Sequence, residues 1–314
     1  MAIISILATT SGMSENDIRQ IVATAPSRYK TYTIPKRSGG DRIISQPARE
    51  VKFFQRILVD KILSGLPVHD AAMAYREGKS IKDNAAAHAL NGAILKFDFK
   101  DFFPSIVSDD WQAYCQRNHV FSDEEDVRLS ANILFRRKKH GSVLRLAIGA
   151  PSSPLLSNIL MAEFDMRVTE VVAKDKVTYT RYADDLTFSA KRAGNLSNVE
   201  SELRRIIKEI SSPRLLINEK KTVYATKKYR RVVTGLVLSD DGMVSLGRDR
   251  KREIRSMLHY YTLGHFDEAK TAQLAGLLAY INAVEPTFLK RLSERYGNDT
   301  IRRLKSKLSP RDSM

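Results

Sequence analysis

Cysteine is almost absent from this chain: Cys115 is the only one in 314 residues. No internal disulfide can form, and no pair of cysteine and histidine clusters has the spacing of a structural zinc site, so a reducing, cytoplasmic setting is expected. Long apolar runs are also lacking. No stretch approaches the roughly 20 apolar residues that a membrane-crossing helix needs, which argues against an integral membrane protein. The apolar opening, Met1 to Thr10, has no basic leader and soon meets Ser14, Glu15 and Asp17, so it is expected to be a helix packed on the body. Repeats and low-complexity linkers are missing too, so any lobes should be interwoven rather than strung like beads. Acidic residues are in short supply: 36 Asp and Glu face 52 Lys and Arg, a net charge of +16. That balance excludes little, but it points to a polyanionic partner, nucleic acid first and an anionic membrane surface second, against the bland alternative of a solvated basic face.

What the chain does contain is ordinary for a globular protein, 43% hydrophobic and 28% charged, and its length allows two or three lobes with their own cores. Residues 1 to about 28 read as helical pieces, with Ser14 as a helix start. TYTIPKRSGGDRIISQP reads as two β-rich runs flanking a turn at Ser38-Gly39-Gly40-Asp41. Next, EVKFFQRILVDKIL places Val51, Phe54, Ile57, Leu58 and Ile62 at helical spacing. AILKFDFKDFFPSI reads as a strand ending at Pro104, followed by a charged, mostly helical region to about residue 138. GAPSSPLLSN leads into an apolar helix, and KVTYTRYADDLTFSA alternates as strand, two-residue turn at Asp184-Asp185, and strand. A helix over about 197–210, strand-like LLIN and VVTGLVL, and a basic helical tail from about 247 complete the chain.

Two adjacent aspartates at a hairpin tip repel each other and add nothing to packing, so a positive partner is expected there. Asp98, at the end of another strand-like run, offers a third carboxylate. Converging from two neighbouring strands, the three would make an all-oxygen site suited to magnesium. Two such ions about 4 Å apart activate an attacking hydroxyl and stabilise the leaving oxygen in phosphoryl transfer. An isolated Asp-Asp pair, by contrast, is usually a solvated turn.

The surrounding pattern decides between these readings. Tyr182-Ala183-Asp184-Asp185 resembles the catalytic motif of reverse transcriptases, and Phe97-Asp98-Phe99-Lys100-Asp101-Phe102-Phe103-Pro104 resembles its partner motif. Gly149-Ala150-Pro151-Ser152-Ser153-Pro154 is similar to the nucleotide-binding loop between them, Asn218 to Thr222 to the next motif, and Lys36 to Arg42 with Pro47, Lys52 and Gln55 to the fingers segment. The resemblance runs from about residue 28 to 240. Within the family, Asn84-Ala85-Ala86-Ala87-His88 and Val233-Thr234-Gly235 are similar to two signatures of the retron branch.

The resemblance implies an α+β right-hand polymerase, fingers, palm and thumb, with an antiparallel palm sheet and a helical thumb. The expected divisions are 1–90 for N-terminal helices and fingers, 91–240 for the palm with a fingers-side insertion at about 112–146, and 241–314 for a basic thumb. It implies an RNA-directed DNA polymerase that uses two Mg2+ ions and deoxynucleoside triphosphates. A structured non-coding RNA would be template and 2′-hydroxyl primer for branched, RNA-linked DNA, beside a separate effector protein in anti-phage defence.

By the same resemblance, Asp98 and Asp184 would be direct metal ligands, with the Phe99 carbonyl a further one and Asp185 a weaker one. Phe103 would stack under the incoming sugar and exclude a 2′-hydroxyl; the alternative is a core aromatic. Lys36 and Arg42 would grip the triphosphate unless they are ordinary surface cations, Gly149 would let backbone approach the nucleotide, and Lys221 would approach the pyrophosphate. Asn84 and His88, at i and i+4 of a helix, would face one RNA surface together with Val233, Thr234 and Gly235. A histidine so placed is otherwise a structural hydrogen bonder. Arg252 and Arg255 would lie along template-primer phosphates. One departure stands out: Ala147-Ile148 precede Gly149, where the family commonly has Pro-Gln, so a glutamine amide beside the sugar is lost. Competing readings are a reverse transcriptase of the diversity-generating or intron type, and an RNA-binding scaffold with little polymerase activity, which Ile148 alone favours.

Overall fold

The computed structural model describes residues 2–35 and 39–306 and divides into two compact units, one of residues 1–79 with 95–224 and one of 80–94 with 225–314. The division expected from sequence, with breaks near 90 and 240, is drawn differently. The segment 80–94 leaves the first unit to join the C-terminal one, whose strands already begin before residue 240.

In the first unit, helix Ile3–Ser11 buries Ile3, Ile4 and Leu7, and the Ile3 amide donates to Asp126 Oδ1 at 2.9 Å, so the apolar opening is indeed a helix docked on the body. Helix Glu15–Thr24 starts at Ser14, whose hydroxyl accepts from the Asp17 amide at 3.2 Å, the expected N-cap. Strands β1 (Tyr29–Pro35) and β2 (Asp41–Pro47) pair antiparallel from Tyr29 opposite Pro47 to Pro35 opposite Asp41. Lys36 and Ser38 lie outside the described residues. Helix Arg49–Lys61 buries Val51, Phe54, Ile57 and Leu58, the stripe its spacing predicts.

Strand β3 (Ala93–Asp98) ends at Asp98 rather than at Pro104, because Asp101 turns into the left-handed region (φ 48°) and Phe102–Ser105 form one helical turn. Helices Ser108–Asn118 and Glu124–Leu134 and a short hairpin, β4 (Arg136–Arg137) with β5 (Leu144–Arg145), fill the next region. The apolar helix of the sequence is two, Ser153–Leu160 and Ala162–Ala173. Strands β6 (Thr178–Tyr182) and β7 (Asp185–Ala190) form an antiparallel hairpin, and β8 (Val223–Thr226) completes a four-stranded sheet of order β6-β7-β3-β8. Phe97 meets Phe188 edge-on at 5.9 Å, and Phe188 stacks on Tyr179 at 4.9 Å. Among the described residues, the LLIN run forms no strand; its one ladder contact is a bridge from Ile217 to Phe99.

The second unit contains helix Ile81–Ala89, opened by a Ser80/Asp83 capping box, and the three-stranded meander β9 (Arg231–Val233), β10 (Leu236–Leu238) and β11 (Val244–Ser245). Among the described residues, four helices follow, Arg248–Thr262, Glu268–Val284, Pro286–Tyr296 and Asn298–Ser306. Ala85, Val233, Leu236, Leu258, Leu278 and Leu304 share one hydrophobic core cluster. Among the described residues, no helix is long and apolar enough to cross a membrane.

Candidate active site

The β6–β7 turn is one residue earlier than its sequence suggests. Tyr182 pairs with Asp185, so Ala183 and Asp184 make the turn and Asp185 is the first residue of β7. Ala183 takes a positive φ of 58°, a conformation that costs a non-glycine residue about 1–2 kcal/mol. A buried network offsets that strain: Arg181 Nη1 donates to the Ala183 carbonyl at 3.2 Å and to Asn158 Oδ1 at 3.2 Å, while Nε and Nη2 hold Asp165 at 2.6 to 3.1 Å. The Tyr179 hydroxyl also donates to Asp165 Oδ1 at 2.8 Å. Arg181 and Asp165 are both fully buried. Removing one member of such a pair costs about 3–5 kcal/mol, because the other charge is left unpaired.

The hairpin tip is tied to β3 by the Phe99 amide, which donates to the Asp184 carbonyl at 3.0 Å. On the other side, the Asn218 amide donates to the Asp98 carbonyl at 2.7 Å and the Lys100 amide to the Leu216 carbonyl at 2.8 Å. These bonds bring Asp98, Asp184 and Asp185 together. Burial, then the charges of Asp98 and Asp185, push the Asp184 carboxyl up to about 6. Asp185 is raised by burial first, with Lys96 opposing and Asp98 adding to the shift. Lys221 Nζ lies on both oxygens of Asp98 at 3.0 and 2.9 Å. Burial works to lower the Lys221 pKa, but the hydrogen bond to Asp98 and the charge around it outweigh this and raise it.

Hard oxygens crowded until they resist ionisation form a donor set that suits a hard divalent cation. The side chains do not close on one point: among the described residues no group of three or more His, Cys, Asp or Glu is gathered as a metal cage. Lys221 supplies the positive charge at Asp98, so a cation binding there would compete with its ammonium.

Other expected residues divide into those the site gathers and those it does not. Phe99 contributes backbone only, its ring being buried against Phe102 at 5.9 Å and Phe164 at 5.6 Å. Phe103 lines a cavity of about 250 Å³ with Tyr75, Lys52, Ile148, Gly149 and Ser153. Arg42 is exposed on β2, and Lys36 lies outside the described residues. Gly149 has φ 113°, and a Cβ there would meet Ile44 Cγ2 at 2.9 Å and the Ser45 carbonyl at 3.3 Å, so the close approach requiring glycine is to β2. The Ser45 amide donates to the Ile148 carbonyl at 2.7 Å.

The RNA-surface expectation for Asn84, His88 and Val233 is corrected. They are 1%, 0% and 0% exposed and sit in the second unit's interior, because the helix turns that face toward the β9–β10 hairpin. Of the five signature residues, Thr234 is half-buried and Gly235 exposed. Both take positive φ, 47° and 80°, and Thr234 Oγ1 donates to the Ile81 carbonyl at 2.9 Å. Arg252 and Arg255 are exposed, with the Arg255 guanidinium over the Phe288 ring at 5.3 Å.

Sequence reasoning does not reach Tyr75 or the Arg181–Asp165 pair. The pair did leave a signal: Asp165 interrupts an apolar helix, and Arg181 shares a strand face with Val177 and Tyr179, so two opposite charges fall on two apolar faces. A left-handed backbone at Tyr75 leaves no comparable trace.

Paired aspartates on a sheet hairpin, a third on the adjacent strand and helices behind them define the palm of a right-hand polymerase. A family model described as reverse transcriptase (RNA-dependent DNA polymerase) matches residues 34–255, and the chain belongs to that family. It is an RNA-directed DNA polymerase of a class whose chemistry depends on divalent metal. Retron Ec83 reverse transcriptase of Escherichia coli is 35% identical over 95% of this chain and 97% of its own length. Retron Ec73 reverse transcriptase of Escherichia coli is 33% identical over 94% of this chain and 95% of its own. A telomerase structure from Candida albicans, in complex with a fragment of telomeric RNA, superposes with a TM-score of 0.49 at 14% identity, covering 91% of this chain and 62% of that one.

Proposed function

We propose that this chain is the polymerase of a retron. In this reading it copies a structured non-coding RNA into DNA from a 2′-hydroxyl of that same RNA, giving a branched, RNA-linked single strand, in the cytoplasm and beside a separate effector that acts against phage. The observation that carries the polymerase chemistry is the convergence of Asp98, Asp184 and Asp185 under mutual repulsion. The retron type is supported by similarity to relatives of that name over nearly their whole length.

Asp98, Asp184 and the Phe99 carbonyl would hold two Mg2+ ions, with Asp185 a weaker ligand. Bound there, the ions would supply charge neutralisation to the attacking hydroxyl and to the leaving pyrophosphate. The protein's own part is positioning. The Arg181 network fixes the turn, the hydrogen bond from the Phe99 amide fixes β3 against it, the one from the Asn218 amide holds β3 on its other side, and Lys221 would stand where a cation can follow charge from Asp98 to the pyrophosphate. Arg42, with Lys36, would grip the triphosphate, and Phe103 would close the sugar side of the cavity against a 2′-hydroxyl. Residues 2–79 would serve as fingers, the sheet-bearing remainder of the first unit as palm and the second unit as thumb. Arg252, Arg255 and the exposed turn at Gly235 would meet RNA.

The test is the nucleic acid that accompanies the purified protein. A short DNase-sensitive, RNase-resistant strand covalently joined to RNA is expected. RNA alone, with no DNA made on adding deoxynucleotides, would overturn the reading.

A further inference from the structure

The cavity beside Phe103 is poor in polar side chains. Among the described residues, apart from Lys52, only Tyr75 and Ser153 bring a side-chain donor to it, and Ser153 is 1% exposed. Ile148 occupies the place where a glutamine would have served, and its carbonyl is taken by the Ser45 amide. Tyr75 is different in every respect. It is 48% exposed, its ring lies 6.3 Å from that of Phe103 at 52°, and its backbone is held at φ 60°. A bulky residue in the left-handed region persists only where its surroundings over-determine it, and such residues cluster at functional sites.

The surroundings here are explicit. The Arg181 amide donates to the Ala71 carbonyl at 2.7 Å, the Met73 amide to the Arg181 carbonyl at 2.8 Å, and Asn158 Nδ2 to the Ala74 carbonyl at 2.8 Å. The same buried Arg181 and Asn158 that brace the aspartate turn therefore brace the segment leading to Tyr75, and the two are set in one frame. Burial, then the charges of Asp184 and Tyr182, raise the Tyr75 pKa, with Arg42 opposing. Its hydroxyl thus stays protonated, as a donor, in the field of both the catalytic carboxylates and the cation of β2. A nucleotide carries its sugar on the 5′-oxygen of the reacting phosphorus, so one whose reacting phosphorus lies at Asp184 brings its sugar within reach of the adjoining cavity that Phe103 and Tyr75 line.

We propose that Tyr75 is a specificity-determining residue whose hydroxyl hydrogen-bonds the 3′-hydroxyl of the incoming deoxynucleotide, in a chain whose loop carries isoleucine rather than glutamine at position 148. The proposal rests on the reading of Phe103 as the sugar gate. Phe103 excludes the 2′-hydroxyl by contact, and Tyr75 selects for the 3′-hydroxyl by a bond.

Single-nucleotide incorporation on a generic primed RNA template tests it, using deoxy-, 2′,3′-dideoxy- and ribonucleoside triphosphates with wild type, Tyr75→Phe, Phe103→Ala and Tyr75→Phe/Ile148→Gln. Wild type should prefer the deoxynucleotide over the dideoxynucleotide by about fivefold or more, the worth of one ordinary hydrogen bond. Tyr75→Phe should erase most of that preference by raising KM for the deoxynucleotide while KM for the dideoxynucleotide holds. Ribonucleotide exclusion should persist in Tyr75→Phe, and Ile148→Gln should restore part of the lost preference. An unchanged deoxy to dideoxy ratio in Tyr75→Phe, or an equal rise of KM for both, overturns the proposal and leaves the ring as packing for Phe103. Failure of the gate reading is separately visible, as ribonucleotide exclusion unchanged in Phe103→Ala while the dideoxy ratio of Tyr75→Phe still shifts.

Discussion

Among the described residues, two hairpin turns hold a non-glycine residue at positive φ, Ala183 between β6 and β7 and Thr234 between β9 and β10, and what surrounds each is opposite in kind. At the first, two carboxylates follow a strained alanine and a third stands on the adjacent strand; burial and the Asp98 charge raise the pKa of both Asp184 and Asp185. At the second, the strained residue's own hydroxyl is bonded to the Ile81 carbonyl, and the neighbouring signature residues Asn84, His88 and Val233 are buried. Both stretches carry family motifs in the sequence. Repulsion that Lys221 relieves only in part marks the first as a place for a ligand, whereas buried and partnered side chains mark the second as a joint of the architecture.

The strongest way to break this comparison is to neutralise the first turn. Asp184→Asn with Asp185→Asn should lower DNA synthesis by about a thousandfold or more, since the proposed phosphoryl-transfer site loses two of its three carboxylates. The metal-free variant should melt no lower than wild type, because the charges removed repel each other. Primer extension and thermal melting on the same preparation read both outcomes. A collapse of stability with activity would place these aspartates in the scaffold.

The second turn should respond in reverse. His88→Ala removes a buried ring and its bonding, a class of change that costs about 2–4 kcal/mol. Self-primed synthesis on the cognate RNA and extension of a generic primed template should then fall together, in step with the folded fraction. Urea unfolding checks this. Loss of the self-primed reaction alone, at unchanged stability, would restore His88 to an RNA surface and erase the contrast between the turns.

How far the sequence could be read follows the same line. Helix Arg49–Lys61 was legible because its buried stripe repeats at helical spacing, and the β6–β7 hairpin because its residues alternate. The three aspartates were legible because adjacent like charges with no packing role need a reason. The turn fell one residue early because the positive φ belongs to Ala183, and alanine carries no turn signature. Asn84 and His88 were placed on a surface because helical spacing gives a shared face but not what the face meets; burial depends on the β9–β10 hairpin, about 150 residues away in the chain. Tyr75 was illegible since its position depends on Arg181 and Asn158, neither adjacent in sequence.

A smaller effect concerns the basic helix. Arg252→Ala with Arg255→Ala should reduce the slope of log affinity for RNA against log salt by about 1 to 2, each exposed cation accounting for about one phosphate contact. Binding at low salt should weaken across unrelated RNAs alike. Filter binding at several salt concentrations measures it, and an unchanged slope would remove these arginines from the interface. Some destabilisation is expected from Arg255 alone, which covers the Phe288 ring, so Arg255→Lys serves as the control that keeps the charge.

The smallest expected effect is also the most specific to the first turn. Asp184 titrates at about 6 in the folded chain against an ordinary value of 3.8. Between about pH 4 and pH 6 the folded state therefore holds more protons at this group than the unfolded state does. Stability of the metal-free protein must fall as pH rises through that window, and this contribution is flat above it. Asp184→Asn cannot ionise and lacks the slope. The difference in Tm, variant minus wild type, should grow in the variant's favour from pH 4.5 to pH 7, by about 2–6 °C, while titrations elsewhere in the chain cancel in the difference. Activity should run the other way in wild type, rising through about pH 6 as the carboxylate becomes available to a cation, and binding of Mg2+ near that pH should release protons. A Tm difference that shrinks with rising pH would mean that the ionised Asp184 is stabilised in the fold. Lys221 would then be serving Asp184 as it serves Asp98, and the first turn would be a satisfied ion cluster like any other.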